Sequence, residues 1–207
     1  MLVAAPLTHS EERAKAISFL NEHLMTFDTV VLMKKTPAMK RINSPTELAE
    51  RKDIKYGLVK AGFTENFFKK SENRFYRDMY AKMEKNLPQN SKEGVDRVKA
   101  SDGKYAFMID SSTAEYWVSK KPCDLYSFRL GSSLGCHKYA FAVRKGQGVL
   151  KARLERAIRE LMSSGELERL KAKWWPHECS AAAAAFDMAQ LSVLLVSLTS
   201  ITALRLI

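Results

Sequence analysis

Strand-like and helix-like apolar patterns alternate along this chain from Ser44 to Trp175, and that alternation confines it to a layered α/β architecture. Ser44-Pro45-Thr46-Glu47 has the spacing of a capping box with proline in the first turn, so a helix starts there. Lys55–Val59 reads as a short strand, and two helices follow over 64–70 and 71–85, the second with Phe75, Met79 and Met83 on one face. Asn90–Lys99 is a further helix with Val95 and Val98 turned inward, and Tyr105–Ile109 is a buried strand. Ser112-Thr113-Ala114-Glu115 again has capping-box spacing. Asp124–Leu130 and Tyr139–Val143 are strands. Val149–Met162 is an amphipathic helix sharing Leu150, Leu154, Ala157, Ile158 and Leu161 on one face; Gly165 stops it, and 167–175 forms a last helix.

The tail is a different material. No charged residue occurs from Met188 to Leu204, and the alanine run 181–185 precedes it. Such a run is at the short end of the roughly 17–25 residues that span a bilayer. A transmembrane helix over 187–207 is expected, with Arg205 at its inner edge; a buried apolar helix is the alternative. Met1–Pro6 lacks the basic start and long apolar stretch of a signal peptide, so the natural start is expected to lie elsewhere.

The net charge of +11, from 34 basic and 23 acidic residues, invites a polyanion partner. The charge is spread along the whole chain without a finger, RNA-binding motif or basic arm, which argues against nucleic acid. A solvated basic surface is the plain reading, and a basic face toward acidic lipid the second. His9, His23, His137 and His177 form no cluster with a nucleophile, so nothing marks an enzyme. Cys123, Cys136 and Cys179 fit no zinc spacing, and no metal or cofactor is expected; one disulfide plus a free thiol is the natural alternative.

Lys171-Ala172-Lys173-Trp174-Trp175 followed by Glu178-Cys179 resembles the end of the ligand-binding domain of animal ionotropic glutamate receptors. Gly103–Asp110, Lys121-Pro122-Cys123-Asp124, Tyr56-Gly57 and Phe67-Phe68-Lys69-Lys70-Ser71 resemble further blocks of that family, in family order from about Ile42 to Cys179. Ala5-Pro6-Leu7-Thr8 with Arg13 resembles the close of its first ligand-binding segment, and Leu32-Met33-Lys34-Lys35 the strand that leads to its pore. The resemblance implies a periplasmic-binding-protein-like type II clamshell. Residues 1–37 would be the end of the first-lobe segment and 38–180 mainly the second lobe, with one transmembrane helix after them. The pore helices and most of the first lobe have no counterpart in the sequence. A splice form, a truncated gene product or a pseudogene product would each give this pattern.

The resemblance also implies site residues. Arg13 would clamp a ligand α-carboxylate, for which a planar, always-charged guanidinium is suited; on its own, within Glu11-Glu12-Arg13, it reads as a surface residue. Pro6 would offer its carbonyl to the ligand ammonium, and Thr8 its backbone or hydroxyl. Asp110 would hold the ammonium; its other role is an N-cap. Phe63 and Thr64 stand at a helix start, where N–H groups favour an anion, although capping explains Thr64 equally well. Phe63 departs from the serine common in the family, and Ser18 and Glu22 replace an aspartate and a proline. Cys123 and Cys179 would form the family disulfide, leaving Cys136 free; two buried thiols is the alternative.

The function implied is a fragment or pore-less variant of a ligand-gated cation channel subunit. It would bind glutamate or a glycine-like amino acid outside the plasma membrane, at a synapse in many relatives, among membrane lipid and the other subunits of a tetramer. The alternative is a soluble amino-acid-binding protein of the periplasmic type, which shares the clamshell.

Overall fold

A computed structural model describes residues 2–37, 40–131, 135–175 and 177–179, with side-chain environments from residue 7 onward. The chain forms two sheets. The first centres on β8 (His137–Val143), which pairs antiparallel with β1 (Leu2–Thr8), β2 (Ser18–Phe19) and β3 (Met25–Phe27). The second has the order β5-β6-β4-β7, built from β4 (Thr29–Lys34), β5 (Lys55–Leu58), β6 (Tyr105–Asp110) and β7 (Leu125–Arg129). Within it β5 and β6 are parallel, and β4 is antiparallel to both β6 and β7.

The second sheet is covered on both faces, which is why β4 and β6 read as unbroken apolar runs rather than alternating ones. The period of two is still present, but both phases are buried. Val31, Met33, Tyr56, Leu58 and Met108 pack under α2 (Pro45–Glu50), α3 (Phe63–Lys70) and α4 (Arg74–Met83), through Leu48, Phe68, Tyr76, Met79 and Met83. Val30, Leu32, Phe107 and Ile109 pack on the other face against Val95 and Val98 of α5 (Ser91–Ala100) and Ala114 of α6 (Ser111–Val118).

Among the described residues the first sheet carries two smaller clusters. Phe19, Ala140 and Ala142 pack near the short helix α1 (Glu11–Ala14), and Leu20, Val143 and Ile158 lie under α7 (Gly148–Ser163). Of the α7 face read from sequence only Ile158 is buried, and Leu161 is 42% exposed. Gly165 takes φ +73° and turns the chain into α8 (Glu166–Trp174).

The cap at Ser44 forms: its Oγ accepts from Glu47 N at 3.1 Å, while the Glu47 carboxylate accepts from Asn43 N, one residue before the cap, at 3.3 Å. The one read at Ser112 does not. Asp110 is the N-cap of α6, accepting from Thr113 N at 2.8 Å, and Ser112 sits inside the helix donating its hydroxyl to the same carboxylate oxygen at 2.8 Å. A carboxylate outcompetes a hydroxyl as acceptor at a helix N-terminus.

Cys123 and Cys179 are disulfide-bonded with Cα atoms 5.5 Å apart, and Cys136 is free and exposed. The bridge, a hydrogen bond from Trp175 Nε1 to Ser112 O at 2.8 Å and the Lys171–Glu115 ion pair at 3.2 Å fasten α8 and the residues after it to α6. Among the described residues no helix is long and apolar enough to cross a membrane. The uncharged run Met188–Leu204 lies outside the described residues.

Candidate functional site between the two sheets

The chain passes from the first sheet to the second at Asp28, between β3 and β4, and returns between β7 and β8. Asp28 and Ser111 fix the first crossing by two bonds: Ser111 N donates to Asp28 O at 2.8 Å and Asp28 N to Ser111 Oγ at 3.2 Å. The carboxyl ends of the parallel strands β5 and β6 lead into α3 and α6, and ligands in open α/β sheets bind outside such ends.

An open cleft of about 830 Å³ lies there, with Ser10 and Arg13 on one side and Phe63, Phe67, Lys70 and Tyr76 on the other. Ser10 caps α1 by accepting from Arg13 N at 3.3 Å. Arg13 Nη1 donates to the carbonyl of Thr8 at 3.1 Å. Arg13 is half-buried and has no acidic partner among the described residues, whereas Lys70 pairs across the cleft with Glu12 at 3.5 Å.

The other predicted residues divide. Thr8 is buried and lies opposite Tyr139 in the β1–β8 ladder, so its carbonyl supports Arg13 from behind. Pro6 falls in β1 where the register with β8 shifts between Val3 and Leu7. Thr64 is half-buried in the first turn of α3 and does not line the cleft. The cap of α3 is Gly62, which offers no side chain, while Glu65 accepts from Ala61 N and from the Tyr80 hydroxyl. Asp110 is also outside the cleft lining. Besides capping α6, its carboxylate stands near the Tyr139 hydroxyl, whose pKa is pushed up, first by burial and then by the Asp110 charge.

Three rings missed in sequence link these parts. Phe27 stacks on Tyr139 with centroids 4.2 Å apart; His137 touches Phe27 at 5.5 Å and Phe63 edge-on at 4.5 Å. The last contact joins the first sheet to the start of α3. Burial lowers the His137 pKa, with the Asp28 charge opposing, and its Nε2 is buried without a partner among the described residues. Nothing local marks these positions, since His137 and Phe63 are 74 residues apart (137 − 63).

The arrangement is one unpaired guanidinium at the rim of a cleft with an aromatic wall. A planar guanidinium so placed can take a carboxylate oxygen on each arm of its fork.

Comparison with known proteins fits this geometry. The family described as bacterial extracellular solute-binding proteins, family 3, matches residues 2–177. Glutamate receptor 3 of Mus musculus is 34% identical over 171 residues, covering 80% of this chain and 18% of that protein. The Homo sapiens glutamate receptor 3 is 34% identical over 163 residues, covering 77% and 17%. The chain therefore spans less than a fifth of the length of these relatives. Among solved structures, Drosophila muscle GluRIIB in complex with glutamate superposes with a TM-score of 0.73 at 28% identity, covering 84% of this chain and 68% of that one. The chain belongs to the family 3 extracellular solute-binding proteins and is homologous to the ligand-binding region of ionotropic glutamate receptors.

Proposed function

We propose that this chain is the amino-acid-binding clamshell region of an ionotropic glutamate receptor subunit, with Arg13 as the carboxylate clamp. The observation that carries this reading is the position of Arg13: fastened to Thr8 O at 3.1 Å, on the cleft, without an acidic partner among the described residues. The Drosophila relative was solved in complex with glutamate, and an amino acid of that kind is the ligand proposed here. Phe63 takes the α3 side of the site. Asp110 reaches the ligand ammonium when Ser112 releases it, and Thr8, Pro6 and Thr64 serve through the backbone and through the α3 N-terminus. The cleft lies between α1, which packs on the first sheet, and α3 and α4, which cover the second, so lobe closure on a ligand would turn about Asp28 and the β7–β8 return. The family is one of binding proteins, and the chain is read as a receptor, not an enzyme.

The run Met188–Leu204 serves as a single membrane helix, placing the clamshell outside the plasma membrane beside the other subunits of a channel assembly; its uncharged length supports this. Alkaline carbonate extraction of membranes from cells making the chain tests the anchor. Retention in the pellet, lost on deleting 187–207, is expected; release of the whole chain would overturn it. Ligand-observed NMR with L-glutamate tests the site: saturable binding is expected, and none with any amino acid would overturn the clamp.

A further inference from the structure

We infer that the end of the four-stranded sheet remote from the cleft binds a linear sulfated polysaccharide. Cations far apart in sequence meet there. The end is formed by the finish of β4 and the starts of β5, β6 and β7, as the register shows: Lys34 pairs with Leu125, and Lys55 with Tyr105. A small concavity beside β4 is lined by Lys34, Lys35, Lys40 and Arg41. A larger one, of about 480 Å³, is lined by Arg51, Lys52, Lys55, Lys82 and Lys85. Among the described residues no aspartate or glutamate lines either one.

Compensation within the chain is partial. Arg51 is held by Asp53 at 2.6 Å. Lys34 donates to Lys99 O at 3.1 Å, Lys35 to Cys123 O at 2.6 Å and Lys82 to Ala49 O at 3.0 Å. A carbonyl oxygen takes up a donor but does not cancel its charge. Lys40, Arg41, Lys52, Lys55 and Lys85 are exposed and make no ion pair among the described residues. Like charges gathered this way repel one another, and a bound polyanion relieves that repulsion. The cleft end of the same sheet differs: there Arg129 is paired with Asp28 at 3.2 Å, and Asp110 adds a carboxylate.

Spacing, rings and placement select the occupant. β5 and β4 flank β6, so two strand spacings of about 4.8 Å set the two concavities roughly 10 Å apart. One small anion cannot serve both, whereas a chain that repeats its charges can. A single nucleic-acid strand is gripped by aromatic rings on which its bases stack. The rings at this end are withdrawn: Tyr56, Tyr105 and Tyr126 are buried. Most of the cations are lysines, point charges on flexible stems that read charge density rather than the planar outline a guanidinium fork matches. The choice of polymer rests on the reading that places the clamshell outside the plasma membrane. The dense linear polyanions met there are sulfated saccharide chains, which basic clusters of this kind hold.

The test uses the full chain in an uncharged detergent and reads the binding of a fluorescent heparin oligosaccharide by anisotropy over a range of salt. Neutralising three cations, in Lys52→Gln/Lys55→Gln/Lys85→Gln, should reduce the slope of log affinity against log salt by about three. At about 0.15 M salt that is a loss on the order of 100-fold in affinity. Neutralising three exposed cations beside the first sheet and on α7, in Arg144→Gln/Arg153→Gln/Arg156→Gln, should change affinity by less than about threefold. Circular dichroism checks that both variants are folded. Affinity that survives the first triple change, or falls equally in the second, would overturn the surface. Displacement of heparin by single-stranded DNA or polyglutamate at an equal concentration of charges would also overturn the proposal, assigning the surface to a nucleic acid or an acidic protein. A membrane-impermeant amine reagent applied to intact cells reads the placement separately. No labelling, with heparin binding intact, would overturn the extracellular placement and this occupant with it. Labelling without heparin binding would overturn the surface alone.

Discussion

The Arg13 guanidinium donates through Nη1 to the carbonyl oxygen of Thr8 at 3.1 Å, tying the short helix α1 to the last residue of β1. One of five donors is used, which leaves the rest of the fork for a ligand carboxylate. The helix that presents it has four residues and depends on its Ser10 cap. Ser10→Ala should cost about 1 kcal/mol locally. Amide exchange at Arg13 and Ala14 should quicken several-fold while exchange in β4 and β6 stays unchanged.

Gly94 packs its backbone against the Phe107 ring, and a Cβ there would fall on that ring. Phe107 is fully buried between α5 and the sheet, so the ring has nowhere to move. Alanine gains up to about 1 kcal/mol in helix propensity, whereas overpacking costs about 1–3 kcal/mol. Gly94→Ala is therefore expected to destabilise by roughly 2 kcal/mol, seen as a lower urea midpoint at unchanged slope. An unchanged or higher midpoint would show that α5 shifts freely.

The Cys123–Cys179 bridge spans 56 residues of sequence. In the chain-entropy picture a loop of that size contributes about 4 kcal/mol. Reduction should lower the thermal midpoint markedly and free α8 first, since Lys171–Glu115 is an exposed pair and such pairs are worth less than about 1 kcal/mol. Cys136→Ser should leave the midpoint where it is.

Burial holds the His137 pKa below its ordinary 6.5. As pH falls through 6.5 the unfolded chain takes up this proton before the native one does. The His137 contribution is therefore complete above that pH and declines below it, until the native imidazole protonates too. The urea midpoint should drop between neutral pH and mildly acidic pH, and His137→Gln should flatten that part of the profile. A profile as steep in the variant would place the titration elsewhere.

Much of the helical layer was legible because it is made of local signals. Ser44 and Glu47 spell a cap, Val95 and Val98 share a helix face, and Gly165 ends α7. What was not legible depends on long-range neighbours. Ser112 and Asp110 both offer caps, and only the end of β6 decides between them. The ring chain Phe63–His137–Phe27–Tyr139 joins segments separated by tens of residues. The basic charge looked dispersed because Lys34, Lys55 and Lys85 belong to different elements, and the sheet register alone brings them to one end. Arg13 and Phe63 line the cleft, while Thr64 and Asp110 stand outside its lining.

The carboxylate clamp is tested most directly by ligand-observed NMR titration of L-glutamate into the chain and its Arg13→Ala and Arg13→Lys variants. Because the helix that presents Arg13 is a single turn of four residues held by its Ser10 cap, millimolar binding, about −4 kcal/mol, is expected. Removing one partner of a hydrogen-bonded charge pair costs about 2 kcal/mol at the low end. Arg13→Ala should therefore bind at least about 30-fold more weakly, below detection, and Arg13→Lys should recover only part, since an ammonium lacks the planar fork. Equal saturation by L-glutamate in the native chain and in Arg13→Ala would contradict the assignment.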